Sequence, residues 1–134
     1  MGLIAARTQM TKQNVLVDVE THYLKKESRA DKNRYVFSYT VTITNHSEQV
    51  IQLMSRHWII TNGETLKTQE VRGDGVVGQQ PQIPPGEHFT YSSGTLMESP
   101  VGTMHGSYHL QTDEGEYFHI EIPAFTLAAT NKVH

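Results

Sequence analysis

Histidine is the residue type with the most chemistry to offer in this 134-residue chain: there are eight, against no cysteine at all. Without thiols, disulfides, thiolate metal sites and cysteine nucleophiles are all excluded. His105, His109 and His119 are grouped towards the C-terminal end, with Glu121 close behind. If Asp113-Glu114-Gly115 forms a three-residue hairpin loop, residues 112 and 116 pair and His109 falls directly opposite His119. His105, Ser107 and Glu121 then share that outward face. Two imidazoles and a carboxylate on one rigid surface suit a divalent transition metal. The same residues also suit a solvated outer face of a sandwich, which is routinely polar.

A second constellation is Gly73-Asp74-Gly75-Val76-Val77-Gly78, which matches the G-x-G-x-x-G dinucleotide fingerprint. That fingerprint works by presenting the amides of a following helix to pyrophosphate. Here Pro81, Pro84 and Pro85 follow within a few residues and forbid the helix. A Rossmann site is therefore rejected. What remains is either an anion-binding nest of amides at Gly73, Gly75 and Gly78, flanked by Arg56 and Arg72, or a glycine-rich crossover between sheets. No G-x-S-x-G elbow is present, and Ser92-Ser93-Gly94 has no recognisable base beside it. No catalytic residue is assigned, no cofactor is implied, and the chain reads as a non-enzyme.

The elements that must carry these residues are strands. Apolar and β-branched residues recur with period two from Val15 to Tyr23 and from Tyr35 to Ile43. Between them lies a charged loop over 25–33. In the run Val50 to Thr61 the phase changes: Ile51 and Leu53 are odd, whereas Trp58 and Ile60 are even. Both sets reach one core only if a residue is inserted, which predicts a β-bulge near Ser55–His57 and a buried Trp58. Asn62-Gly63 predicts a tight hairpin turn with two positive-φ residues, followed by a polar edge strand from Thr65 to Arg72. Residues 73–86 read as loop. Three further strands follow, His88 to Leu96, Thr103 to Thr112 and Glu116 to Phe125, with Phe89, Tyr91, Met104, Tyr108, Leu110, Phe118, Ile120 and Ile122 facing inward. Seven short strands spaced by turns predict an all-β, antiparallel sandwich of the immunoglobulin or fibronectin type III class. One domain over 13–127 is expected, with a flexible N-terminal tail over 1–12 and a C-terminal tail over 128–134.

Eleven Lys and Arg against fourteen Asp and Glu give a formal charge of −3. That excludes the basic excess nucleic-acid binders use. Apolar runs are far shorter than the ~20 residues of a membrane helix, and residues 1–7 do not make a signal peptide. A cytoplasmic location is expected. An unpaired sheet edge would leave room for a homodimer.

Several long runs are, taken together, specific. They include Tyr35 to Ile43, Ser55-Arg56-His57-Trp58-Ile59-Ile60-Thr61, Glu70 to Pro81, Pro84-Pro85-Gly86-Glu87, Tyr91 to Pro100, Gly102 to Tyr108 and Ile122 to Leu127. Through these the chain resembles the ApaG family over about residues 14–127. The resemblance implies a bacterial protein with a fibronectin type III-like sandwich, a link to cobalt and magnesium homeostasis, and no established catalytic residues. It also implies a protein-binding role, as for the related domains of eukaryotic F-box and polymerase-associated proteins. The expected partner is thus a protein, a small anion or a divalent metal, bound by a module without turnover.

Overall fold

The computed structural model describes residues 4–8 and 13–129. Nine strands run in chain order: β1 Ile4–Arg7, β2 Val15–Tyr23, β3 Tyr35–Asn45, β4 Ile51–Asn62, β5 Thr68–Asp74, β6 Gln82–Ile83, β7 His88–Met97, β8 Val101–Thr112 and β9 Tyr117–Ala128. They form two antiparallel sheets, one ordered β1-β2-β3-β7 and the other β5-β4-β8-β9, with β6 also paired to β4. The seven long strands are those of the expected sandwich, and β1 and β6 are additions to it.

Period two in the sequence becomes alternation in burial. Val15, Val17 and Val19 of β2, and Phe37, Val41 and Ile43 of β3, are almost wholly buried, while Asp18, Glu20, Thr40 and Thr42 face outward. Trp58 lies at the centre, 1% exposed. Around it stand Tyr39, Tyr108 and Phe125, with ring centroids 5.6, 5.9 and 5.9 Å away. The Tyr108 and Phe125 rings meet it edge-on, the favoured arrangement for aromatic quadrupoles. Gly106, paired with Trp58 across β4 and β8, is required here: a Cβ would collide with the His57 carbonyl and lie 2.8 Å from the indole ring.

Five expectations are corrected. The phase-changing bulge falls between Leu53 and Ser55, so Met54 is the inserted residue rather than one of Ser55–His57. Asn62-Gly63 does not form a turn with two positive-φ residues. Asn62 instead accepts the Glu64 and Thr65 amides on Oδ1 at 2.8 and 3.1 Å, and the left-handed position passes to Leu66, φ 64. Residues 4–7, expected within a tail, pair with β2, and Arg7 Nε donates to Asp18 Oδ1 at 2.5 Å. At the other terminus Ala128 ends β9, and Ala129 is buried with its amide on the Pro100 carbonyl at 2.9 Å. Residues 1–3, 9–12 and 130–134 of the two expected tails lie outside the described residues. Phe89 and Phe118 are only half-buried and pack at the margin of the core.

The two sheets are not in full register sideways. On one side β1 and β2 come close to β9. On the other, β7 ends its sheet while β5 ends the facing one. Among the described residues β5 packs chiefly on β4 of its own sheet, and its inward residues Gln69, Val71 and Gly73 are left exposed or half-exposed.

Candidate functional site

The histidine register is as the hairpin length predicts. The Thr112 amide donates to the Glu116 carbonyl at 2.8 Å, Gly115 adopts φ 88, and His109 pairs with His119. Their rings stand 5.9 Å apart, and His119 Nε2 lies 3.4 Å from Glu121 Oε2. His105 does not join them. It shares their outward face but lies four residues along β8, opposite Ile59 of β4 and level with the bulge of the β8–β9 pairing between Met104 and Gly106. Among the described residues no three of His, Asp and Glu converge as a metal site.

The glycine motif divides in a different way from the expected nest. Gly73 belongs to β5, Gly75 adopts φ 60 and Gly78 φ 80. The Gly75 amide donates to the Met54 carbonyl at 2.7 Å, and the Val76 and Gln79 amides donate to each other's carbonyls at 2.8 and 2.9 Å. The loop therefore turns carbonyls, not amides, to the nearest cation: Arg56 Nη1 donates to the oxygens of Asp74 and Gly75 at 3.2 and 2.9 Å. Val76 is wholly buried.

Arg56 and Arg72 leave opposite faces of the sheet. With Met54 inserted, Arg56 pairs with buried Tyr108 on one side and with Gly73 on the other, so its side chain points to the inner face. Gly73 makes room for it: a Cβ there would lie 2.8 Å from Nη1. Arg72 pairs with His57 and faces outward. There Glu70 Oε1 takes both His57 Nε2 at 2.9 Å and Arg72 Nε at 3.3 Å. His57 and then Arg72 hold the Glu70 carboxyl below its usual range. Arg56, His57, Arg72, Gly73, Asp74 and His109 border one open hollow of about 350 Å³.

Sequence reasoning missed the side of the molecule where β7 ends. Three of the four edge strands carry the devices that discourage strand addition. β1 is four residues long and irregular between Ile4 and Ala6. β5 bears Glu70, Arg72 and Asp74. β9 has Glu121 and Pro123, and the bulge of its pairing with β8. β7 has none of these. From His88 to Met97 there is no Lys, Arg, Asp, Glu or Pro, and its pairing with β3 runs unbroken from Thr44↔His88 to Tyr35↔Met97. Among the described residues no backbone hydrogen bond reaches β7 from any segment but β3. That uncharged run was readable in the sequence; that it lies at an edge was not.

Beside this edge, over the inner face of β5, is a hollow of about 340 Å³ whose walls include Ile60, Gln69, Leu96 and Met97. A second, of about 580 Å³, shares Asn62, Thr65, Leu96 and Glu98 with it and extends to Lys32 and Arg34. Arg56 stands on the same inward face of β4, four residues from Ile60 and paired with Gly73. Among the described residues no carboxylate comes within ion-pair distance of it. Tyr91 of β7 and Tyr108 of β8 share a short hydroxyl–hydroxyl hydrogen bond across the two sheets. Burial pushes the Tyr91 phenol up to about 12, against the opposing pull of its bond to Tyr108 and of the nearby Trp58 and Arg56. Burial likewise raises Tyr108.

No helix among the described residues is long and apolar enough to cross a membrane. The sequence profile of the ApaG domain matches residues 25–112. The chain is 47% identical to Protein ApaG of Aromatoleum aromaticum over 95% of its own length and 99% of that protein. To Protein ApaG of Pseudomonas paraeruginosa it is 50% identical, over 92% and 98%. A crystal structure of an ApaA protein from Bordetella pertussis superposes with a TM-score of 0.82 at 48% identity, covering 85% of this chain and 92% of that one. The sandwich and the sequence together place this chain in the ApaG family.

Proposed function

We propose that the chain is a non-enzymatic protein-binding module that takes an extended segment of its partner as an added strand along β7. The observation carrying this reading is the contrast among edges: β7 alone of the four edge strands is long, regular and free of charge and proline. Main-chain hydrogen bonds to such an edge supply affinity, and pockets for alternate side chains supply selectivity. The hollow over β5 is placed to receive those side chains. Selection of a random decapeptide display library on the domain tests the reading. Selected peptides should shift the amide resonances of β7, and Thr95→Lys, an inward charge on that edge, should abolish binding. Recovery of peptides that bind equally to the Thr95→Lys variant would defeat it, as would failure to recover any.

One observation favours a second reading, in which His109 and His119 hold a divalent transition ion as a two-imidazole chelate: they are direct cross-strand partners beside Glu121. This would give the implied link to cobalt and magnesium homeostasis a physical basis. Nickel should then bind at pH 7.5 and not at pH 5.5, since protonated imidazole cannot ligate. His119→Gln should remove that binding. Equal uptake by the variant would end this reading.

A further inference from the structure

We infer that the segment added to β7 is recognised through an acidic side chain seated on Arg56, four residues along the strand from an apolar side chain that fills the hollow beside Ile60. The inference rests on the strand-addition reading and names the chemistry of its occupant.

The geometry follows from the two sheets. A strand hydrogen-bonded to the outer edge of β7 extends its sheet by one position. It thereby comes to lie over β5, whose inward residues are exposed or half-exposed. Alternate side chains of the added strand then point down onto β5 and the adjoining part of β4. The inward pairs beneath them are Ile60↔Gln69, Trp58↔Val71 and Arg56↔Gly73. Each successive pair is two residues further along, matching the two-residue repeat of the strand above.

The three stations differ in chemistry. At Ile60 and Gln69 the hollow of about 340 Å³ also has Lys67, Thr68 and Glu98 in its walls, and its apolar contacts for an added side chain are Ile60, Leu96 and Met97. At Val71 the floor is the half-exposed flank of the core. At Gly73 there is no side chain on β5 at all, and the space holds the Arg56 guanidinium. Two of its contacts are settled: Nη1 donates to the Asp74 and Gly75 carbonyls, which fixes the plane of the group. No carboxylate in the described residues neutralises it. Its charge is also felt by the buried Tyr91 phenol of β7, where it opposes the upward push of burial. A half-buried, oriented and unneutralised guanidinium is the natural seat for a carboxylate, and charge-assisted pairs of this kind are among the stronger hydrogen bonds. Arg72, by contrast, already shares Glu70 with His57 on the other face. Ile60 and Arg56 are four residues apart on β4, about 13 Å in extended chain, which sets the spacing between the apolar and acidic residues of the partner.

The decapeptides selected on the wild-type domain provide the test. They should carry Asp or Glu at one fixed position, four residues from a conserved apolar one. Affinity for a selected peptide should fall at least tenfold with Arg56→Gln, which keeps a donor for the loop carbonyls and the fold intact by thermal melting. The same peptide with its acid changed to Gln should bind the wild type and the Arg56→Gln variant alike. Peptides that shift β7 amides and are blocked by Thr95→Lys, yet show no acidic preference and bind Arg56→Gln undiminished, would overturn the inference and leave strand addition standing. Loss of the β7 footprint itself would overturn both.

Discussion

The two lateral sides of this sandwich are built from the same kinds of strand but finished differently. On the closed side, β1 and β2 reach over to β9, and Pro123, Glu121 and a bulge interrupt the outer edge. On the open side β7 is bare and the inward residues of β5 are left exposed or half-exposed. Edges are usually guarded because an unpaired row of amides and carbonyls templates further pairing. On the proposed reading, the one edge left unguarded is where the partner strand docks. Polar chemistry follows the same division. Arg72, on the outer face, is occupied with Glu70; Arg56, on the inner face, is held by carbonyls and left without a carboxylate partner among the described residues.

The largest effect should come from the centre that both sides share. Trp58→Ala is expected to cost about 3–5 kcal/mol in urea unfolding, in line with other buried aromatic truncations. It should weaken closed and open sides together. If hydrogen exchange accelerated at β7 alone, the two sides would be less coupled than the shared aromatic cluster requires.

Next in size is the cross-sheet hydroxyl bond of Tyr91 and Tyr108. Tyr91→Phe leaves the buried Tyr108 hydroxyl without its partner and should cost about 1–2 kcal/mol. The wild-type bond also has a pH signature. A phenol with its folded pKa raised from about 10 to about 12 contributes stability that is complete below pH 10 and lost as pH rises through that interval. Melting temperature should therefore fall more steeply from pH 10 to 12 in the wild type than in Tyr91→Phe. Parallel curves would mean that this phenol does not drive the alkaline loss.

Much of this arrangement was legible beforehand, and the parts that were not share a cause. The His109–His119 pairing followed from hairpin length, and the burial of Trp58 from the phase change after Leu53. The phase change, however, states only that a residue is inserted somewhere between Leu53 and Trp58. Its true position at Met54 decides that Arg56 points inward and His57 outward. That insertion sets Arg56 and Arg72 on opposite faces of the sheet, although both border one hollow with Gly73. The role of Asn62 was misjudged because its side-chain oxygen can do by hydrogen bonding what its backbone was expected to do by conformation. Which strands end the sheets depends on pairing between distant segments, and no local pattern in His88 to Met97 declares it.

A smaller change sharpens the comparison between the two arginines. Gly73→Ala places a methyl against the flexible end of Arg56, so the fold should lose under about 1 kcal/mol, because a side-chain tip can shift. Binding of an acidic strand peptide should nevertheless drop at least tenfold. A stability loss comparable with Trp58→Ala would show that Arg56 is held for the fold's sake. The least effect is expected from Glu70→Gln on the outer face, where the side chain is about half exposed. Melting temperature at neutral pH and peptide affinity should both stay close to wild type. A marked fall in peptide affinity would mean that the outer face takes part after all.

Leu66 gives the fold a practical handle. A leucine at φ 64 is held in a left-handed conformation that costs an L-residue with a Cβ roughly 1–2 kcal/mol, and this one is 72% exposed at the tip of the β4–β5 hairpin. It recovers little of that by burial. Asparagine tolerates the left-handed region and water alike, so Leu66→Asn should raise the melting temperature while leaving every strand in place. For a laboratory that needs a sturdier scaffold before altering the open side, that tip is the position to engineer first.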